Sequence, residues 1–266
     1  MTAEMNRLLL EVTALAREAG RAILDVYAST FTVTEKQDRS PLTEADLRSE
    51  RLILAGLRRI APEIPVLSEE AVKVPWTARR TWSRLWVVDP LDGTKEFVQR
   101  NGEFTVNIAL VHDHRPVLGI VHAPVLERTY YACEGVGAFR SDAETAGRPI
   151  RVARREPGPA RVVGSRSHRG SSLDAFLERV GPHELVEVGS SLKLCLVAEG
   201  MADVYPRLGP TSEWDTAAGQ CVLEQAGGQV LRLDGQPLDY NAKEELLNPH
   251  FFGIADAGVD WLAMTR

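Results

Sequence analysis

Cysteine is scarce: there are three in 266 residues, at positions 133, 195 and 221, with no CxxC spacing. So few, so dispersed and odd in number, they exclude a disulfide framework and a thiolate zinc site, and they point to a reducing compartment. Each reads as a small buried hydrophobe. The histidines form no HExxH motif, and His112 and His114 flank Asp113 in what reads as a hairpin turn rather than a zinc site. Long apolar runs are also missing; none approaches the ~18 residues of a membrane span. The opening MTAEMNRLLLEV lacks the charge-then-apolar order and small-residue cleavage site of a signal peptide, so a cytoplasmic protein is expected. Excess positive charge is absent: 31 Lys and Arg against 37 Asp and Glu give a net charge of −6. That excludes a general attraction to nucleic-acid polymers or anionic membranes. An anionic substrate would need local positive potential, from bound metal or a few Lys and Arg. The GVG at 135–137 is too short for a dinucleotide fingerprint and reads as a turn.

What is present is a soluble composition, 44% hydrophobic and 26% charged, in a chain long enough for a large core. Its length allows one large domain or two closely joined ones. Helical spacing of Leu8, Val12, Leu15, Ala19, Ile23 and Val26 predicts an amphipathic helix over 4–27. TEKQDRSP reads as an exposed loop. Thr43 reads as the N-cap of a second helix reaching Ile60, with Asp46 completing a variant capping box. Strands are expected at 64–68 and 85–89, the latter stopping at Pro90, with 72–84 as a surface loop. FTVNIALVHD, RPVLGIVHAP and ERTYYACEGVGAF predict three antiparallel strands. After a polar stretch near 141–158 the pattern turns to alternating strands and helices: ARVVGSRS, SSLDAFLERV, LVEVG, SLKLCLVAEGMA, ADVYPR, TAAGQCVLEQAG and QVLRL.

The strongest local signal is DPLDGT at 89–94. Asp89 ends an apolar strand, Pro90 removes a backbone donor, and Asp92-Gly93 is a turn pair. Two carboxylates three residues apart across a rigid turn can converge, with the Leu91 carbonyl between them; hard divalent cations favour such oxygen clusters. Thr94 would open a helix, so the Gly93 and Thr94 amides can meet a phosphate. Taken alone, the same residues equally describe a solvated turn. Taken alone, Glu69-Glu70 at a strand end reads better as an exposed acidic turn, and Asp215 in WDTAAG as a simple helix cap.

Together LSEE, DPLDGTKEF and WDTAAG resemble the magnesium-dependent, lithium-sensitive phosphatases of the inositol monophosphatase superfamily. NGEFTVNIALV, SRSH, GSSLKLCLVAEG and YPRLGPTSEWDTAAG are similar to its bacterial 3′(2′),5′-bisphosphate nucleotidases, over residues 40–250. The resemblance implies an α/β (α+β) fold layered as an α-β-α-β-α sandwich. Residues 1–145 would carry most metal ligands, and residues 146–266 would complete the site. It also implies magnesium, two or three ions, held by Glu69, Asp89, Asp92, Asp215 and the Leu91 carbonyl. Asp46, in PLTEAD, would assist a further metal or its waters. Glu69 and Thr94 would position the attacking water, with Glu70 as the second Glu of its motif. In-line attack by metal-activated water needs no protein nucleophile.

For the substrate, Ser191, Lys193 and Arg207 are candidates for a second phosphate, and Gly93, Thr94, Lys95 and Asp215 for the reacting end. Ser165, Arg166 and His168 are candidates for the nucleotide side. Lys193 and Arg207 equally read as solvated or ion-paired charges, and His168 as a locally hydrogen-bonded residue. The expected partner is a small phosphorylated metabolite, and the chain is a monomer or homodimer. The expected reaction is hydrolysis of adenosine 3′,5′-bisphosphate to AMP and phosphate, with 3′-phosphoadenylyl sulfate as a related substrate. An inositol or sugar monophosphatase is the alternative. A non-catalytic regulator on the same scaffold is the remote one.

Overall fold

The computed structural model describes residues 2–35, 41–71, 74–143, 145–166 and 170–265. Helix α1 (Thr2–Tyr27) buries the predicted stripe from Leu8 to Val26. A short hairpin, β1 (Val33–Glu35) with β2 (Pro41–Thr43), follows, so the ends of the expected loop are strands; residues 36–40 lie outside the described residues. Helix α2 (Glu44–Ile60) opens on the expected capping box. The Thr43 hydroxyl accepts from Ala45 N, and Asp46 Oδ2 accepts from Thr43 N at 2.8 Å.

Next come β3 (Val66–Ser68), a short helix α3 (Trp76–Arg79), β4 (Arg84–Asp92) and α4 (Thr94–Val98). The meander β5 (Thr105–His112), β6 (Arg115–Ala123), β7 (Arg128–Cys133), β8 (Gly137–Asp142) and β9 (Arg148–Pro149) completes a seven-stranded sheet in chain order. Only the β3–β4 pair is parallel. The remaining elements are β10 (Ala160–Ser165), α5 (Ser171–Val180), β11 (His183–Val188), α6 (Leu192–Ala198), β12 (Val204–Arg207), α7 (Glu213–Gln225), β13 (Gln229–Arg232), β14 (Phe251–Ile254) and a 3₁₀ turn, Leu262–Thr265. Their strands form a five-stranded sheet in the order β11-β10-β12-β14-β13.

Three apolar cores hold five layers together, the middle one enclosing a helix layer between the sheets, which is the expected α-β-α-β-α order. α1 and α2 cover one face of the large sheet, and α6 and α7 fill the space between the two sheets. α5 and the 3₁₀ turn close the outer face of the small sheet. The small residues of α7 have a steric purpose: it runs so close over β6 that a Cβ on Gly119 would lie 2.4 Å from the Ala218 carbonyl.

Four expectations need correction. β4 does not stop at Pro90 but continues to Asp92, because a register break against β5 absorbs the proline that a regular ladder would reject. ERTYYACEGVGAF is two strands, β7 and β8, joined through Gly135 and Gly137 at positive φ. Of segment 72–84, residues 72 and 73 lie outside the described residues, and the rest is not simply a surface loop: Arg79 is buried, donating to Asn241 Oδ1 and to the carbonyls of Lys243 and Glu244. β14, an interior strand of the small sheet, has no counterpart among the expected elements.

The α1–β6 contact carries a pH dependence. Gly20 of α1 faces the buried His122 ring; a Cβ there would meet Cδ2 and Nε2 at 2.6 Å. His122 Nδ1 lies 3.0 Å from Thr129 Oγ1, and Arg17 also donates to that hydroxyl. Burial, assisted by the charges of Arg17 and Arg21, lowers the His122 pKa to about 4. A lowered histidine pKa means the unfolded chain takes the proton first as pH falls. Its contribution is therefore complete above pH ~6.5 and is lost between there and about 4. Between pH 7 and pH 4.5, wild type should lose about 2 kcal/mol more stability than His122→Asn in urea unfolding. Identical pH profiles for the two proteins would refute the assignment.

Candidate active site

The break in β4 aims its two aspartates. Ser49 Oγ donates to Pro90 O at 2.7 Å, and Leu91 N donates to Asp89 Oδ1 at 3.0 Å, which fixes the turn. Gly93 follows at φ +88°, open to glycine at little cost, and a Cβ there would press on Glu103 O and the Ser190 side chain. From the other sheet's helix layer, α7 brings Asp215. Ser212 caps α7, and its amide donates to Asp215 Oδ2 at 2.8 Å, a second capping box. One carboxylate oxygen from each of Asp89, Asp92 and Asp215 lies within 4.8 Å of the others. Glu69 stands outside that spacing, but its charge acts on both Asp89 and Asp215.

The electrostatics of this cluster are unfavourable without a cation. Burial first, then the charges of Glu69, Asp92 and Asp215, push Asp89 well above the usual carboxylate range. Burial and the Asp92 charge push Asp215 up to about 8. Asp92 is raised by burial, against the pull of Lys193, Ser191 and Asn107. Crowded, partly desolvated carboxylates must take up protons or a cation. The donors are all hard oxygen, without a histidine or thiolate, and so fit magnesium better than zinc. Asp89, Asp92 and Asp215, with the Leu91 carbonyl on the intervening turn, can hold such an ion.

Around the cluster lies a cleft of about 430 Å³. Asp92, Gly93, Thr94 and Lys95 form one wall, and Ser165, Ser190, Ser191, Lys193, Arg207 and Asp215 line the other. Thr94 Oγ1 lies 3.3 Å from Asp46 Oδ1 and 3.4 Å from Leu91 O, close enough to donate to either. Ser191 Oγ receives Asn107 Nδ2 at 2.7 Å and lies within donating distance of Asp92 Oδ2 and Asp215 O. Lys193 is buried and donates to the carbonyls of Ser190 and Val188; burial lowers its pKa to about 8, with Asp92 pulling the other way. Arg207 Nη2 donates to Pro210 O.

Of the residues expected on the nucleotide side, Ser165 reaches the cleft, whereas Arg166 is turned away into a bidentate pair with Glu103. His168 lies outside the described residues. Glu70 is half-buried beside Glu69. Two contributors escaped the sequence reading. Asn107 is an amide buried within an apolar strand, a departure that could have marked it. Ser190 is held at φ +49° with its buried hydroxyl unpartnered among the described residues.

Comparisons with known proteins identify the family. Residues 5–257 match the model of the inositol monophosphatase family. The chain is 50% identical over 246 residues to a protein of Salmonella typhimurium named 3′(2′),5′-bisphosphate nucleotidase CysQ, covering 92% of this chain and 98% of that one. The crystal structure of CysQ from Bacteroides thetaiotaomicron, described as a bacterial member of the inositol monophosphatase family, superimposes with a TM-score of 0.83 at 41% identity. That match covers 94% of this chain and 97% of the other. An inositol monophosphatase (IMPase) structure from Thermotoga maritima gives a TM-score of 0.81 at 27% identity, over 98% of this chain and 97% of that one. With a family model that spans nearly the whole sequence and relatives alike in both sequence and layered fold, the chain belongs to the inositol monophosphatase family.

Proposed function

We propose that this protein is a magnesium-dependent phosphatase that removes the 3′-phosphate of adenosine 3′,5′-bisphosphate, giving AMP and inorganic phosphate. One observation carries the reading: two carboxylates of the cluster, Asp92 and Asp215, line the same cleft as two cationic side chains, Lys193 and Arg207. A substrate with a single phosphate needs one anion-binding end; this cleft offers two. The nucleotidase names of relatives about 50% identical over nearly their whole length support the same substrate class.

Asp89, Asp92, Asp215 and the Leu91 carbonyl would hold magnesium, with Glu69 nearby. Bound there, the metal supplies charge neutralisation at the phosphoryl oxygens and acidifies water. The chain's own groups do the rest. Thr94 Oγ1, donating to Asp46 Oδ1, keeps lone pairs with which to accept from the attacking water. Glu69 orients that water, while Lys95 and Gly93 flank the ester. Lys193 and Arg207 receive the second phosphate, which fixes the ester in line. The proposed division of labour places the water-positioning groups in residues 1–145 and the second-anion groups in residues 146–266.

No side chain becomes phosphorylated, so oxygen-18 from solvent should enter the released phosphate, and a trapped phosphoprotein would refute this. Side-by-side kinetics with magnesium test the substrate. The kcat/KM for adenosine 3′,5′-bisphosphate should exceed that for inositol 1-phosphate; the reverse order would make the protein an inositol monophosphatase. We further propose a cytoplasmic enzyme, inhibited by lithium, that clears a by-product of sulfate assimilation.

A further inference from the structure

We propose that the Glu103–Arg166 ion pair is a positioning device that sets the spacing between the two anion-binding ends of the cleft. This rests on the two-phosphate reading above. Glu103 lies between α4 and β5, close behind the Gly93 turn, and Arg166 directly follows β10. Arg166 Nε and Nη2 donate to the two Glu103 oxygens, each at 2.8 Å, and Nη2 also donates to the Glu187 carbonyl. Glu103 Oε2 accepts in addition from Gly189 N at 2.8 Å. The fork therefore joins three chain segments, one behind the reacting end and two on the opposite wall.

Gly189 makes the grip tight. A Cβ there would lie 2.7 Å from Glu103 O and from Glu96 Cγ, so backbone meets backbone at this seam. The residues that follow are those of the opposite wall. Ser190 offers its carbonyl to Lys193, and Ser191 lies against Asp92. Whatever moves Gly189 thus moves the second-anion end relative to the carboxylate cluster. Burial pushes the Glu103 pKa up, but Arg166 and the Gly189 amide outweigh it and hold it below the usual range, so the pair is charged at neutral pH.

Side-chain exposures of 47% and 19% decide what the pair is for. A half-exposed ion pair contributes little to stability. A bidentate fork does fix orientation. Its loss should appear in substrate geometry, with little change in the thermal midpoint.

The test compares adenosine 3′,5′-bisphosphate, which engages both ends, with 3′-AMP, which lacks the second phosphate. In Glu103→Gln and in Arg166→Met, kcat/KM for the bisphosphate should fall roughly tenfold, while kcat/KM for 3′-AMP stays within about twofold of wild type. Arg166→Lys, which keeps the charge without the fork, should share the defect. The double variant should be no worse than either single one, because the two act as a unit. Equal losses on both substrates would make the pair merely structural, and an unchanged bisphosphate kcat/KM would overturn its role outright. If wild type itself shows no preference for the bisphosphate, the two-phosphate reading fails and this role fails with it. If wild type has the preference and the variants keep it, only the positioning role fails.

Discussion

Asp92→Asn should lower kcat/KM by a factor on the order of 10³, the loss of ~4 kcal/mol of charge stabilisation in the transition state. The substitution is nearly isosteric. The introduced amide oxygen can still accept from Ser191 and Asn107, which now both point at the Asp92 carboxylate. What disappears is one negative charge from a cluster whose members push one another's pKa upward. The metal-free variant should therefore unfold at the same temperature as wild type or higher. Wild type should gain roughly 5–8 °C in its unfolding midpoint at a magnesium concentration ~100 times its dissociation constant, from ~2.7 kcal/mol of linkage. Asp92→Asn should gain almost nothing. Thermal scans with and without magnesium, beside steady-state kinetics, separate this from simple misfolding. A variant that loses stability without metal, or retains the magnesium shift, would contradict the arrangement.

The second large effect belongs to Lys193. Its ammonium is buried at the foot of the cleft, held by two backbone carbonyls and 5.7 Å from the Tyr205 ring. Removing a charge-assisted contact to a phosphate costs ~1.5–3 kcal/mol, so Lys193→Met should cut kcat/KM for adenosine 3′,5′-bisphosphate roughly 10- to 100-fold. 3′-AMP should be affected far less. Because burial lowers its pKa to about 8, the free enzyme's lysine loses its proton as pH rises through that value. Only the charged form attracts phosphate. In wild type kcat/KM for the bisphosphate should thus fall above pH 8 relative to that for 3′-AMP, and in Lys193→Met the ratio should be flat. A ratio that ignores pH in wild type would remove Lys193 from the second-phosphate site.

Local chemistry explains which parts of this molecule could be read in advance. Thr43 with Asp46 is a capping box defined within four residues, and it is found. DPLDGT needs no distant partner to make a turn, so its carboxylates were legible as a converging pair. Their partner Asp215 was legible only through the resemblance, because nothing in WDTAAG says where α7 will be carried. Apart from the local turn at Gly135 and Gly137 that splits ERTYYACEGVGAF, the misses share a physical cause, since each depends on a partner outside its own segment. Arg79 looks like a surface charge until the carbonyls of Lys243 and Glu244, more than 160 residues away, satisfy its guanidinium. Arg166 looks like a cleft residue until Glu103 engages it. β14 is only four residues long and follows Asn-Pro-His, so its propensity is too small to stand out; pairing with both β12 and β13 makes it an interior strand. Pro90 reads as a stop, but a broken register lets β4 run on and aims Asp92 inward.

The most direct measurement is an anomalous difference map from a crystal grown with manganese in place of magnesium. A peak should lie roughly 2.0–2.4 Å from carboxylate oxygens of Asp89, Asp92 and Asp215 together. Active enzyme whose divalent ion binds elsewhere, leaving those three carboxylates to share protons, would contradict the metal-centred phosphatase proposed for this cleft.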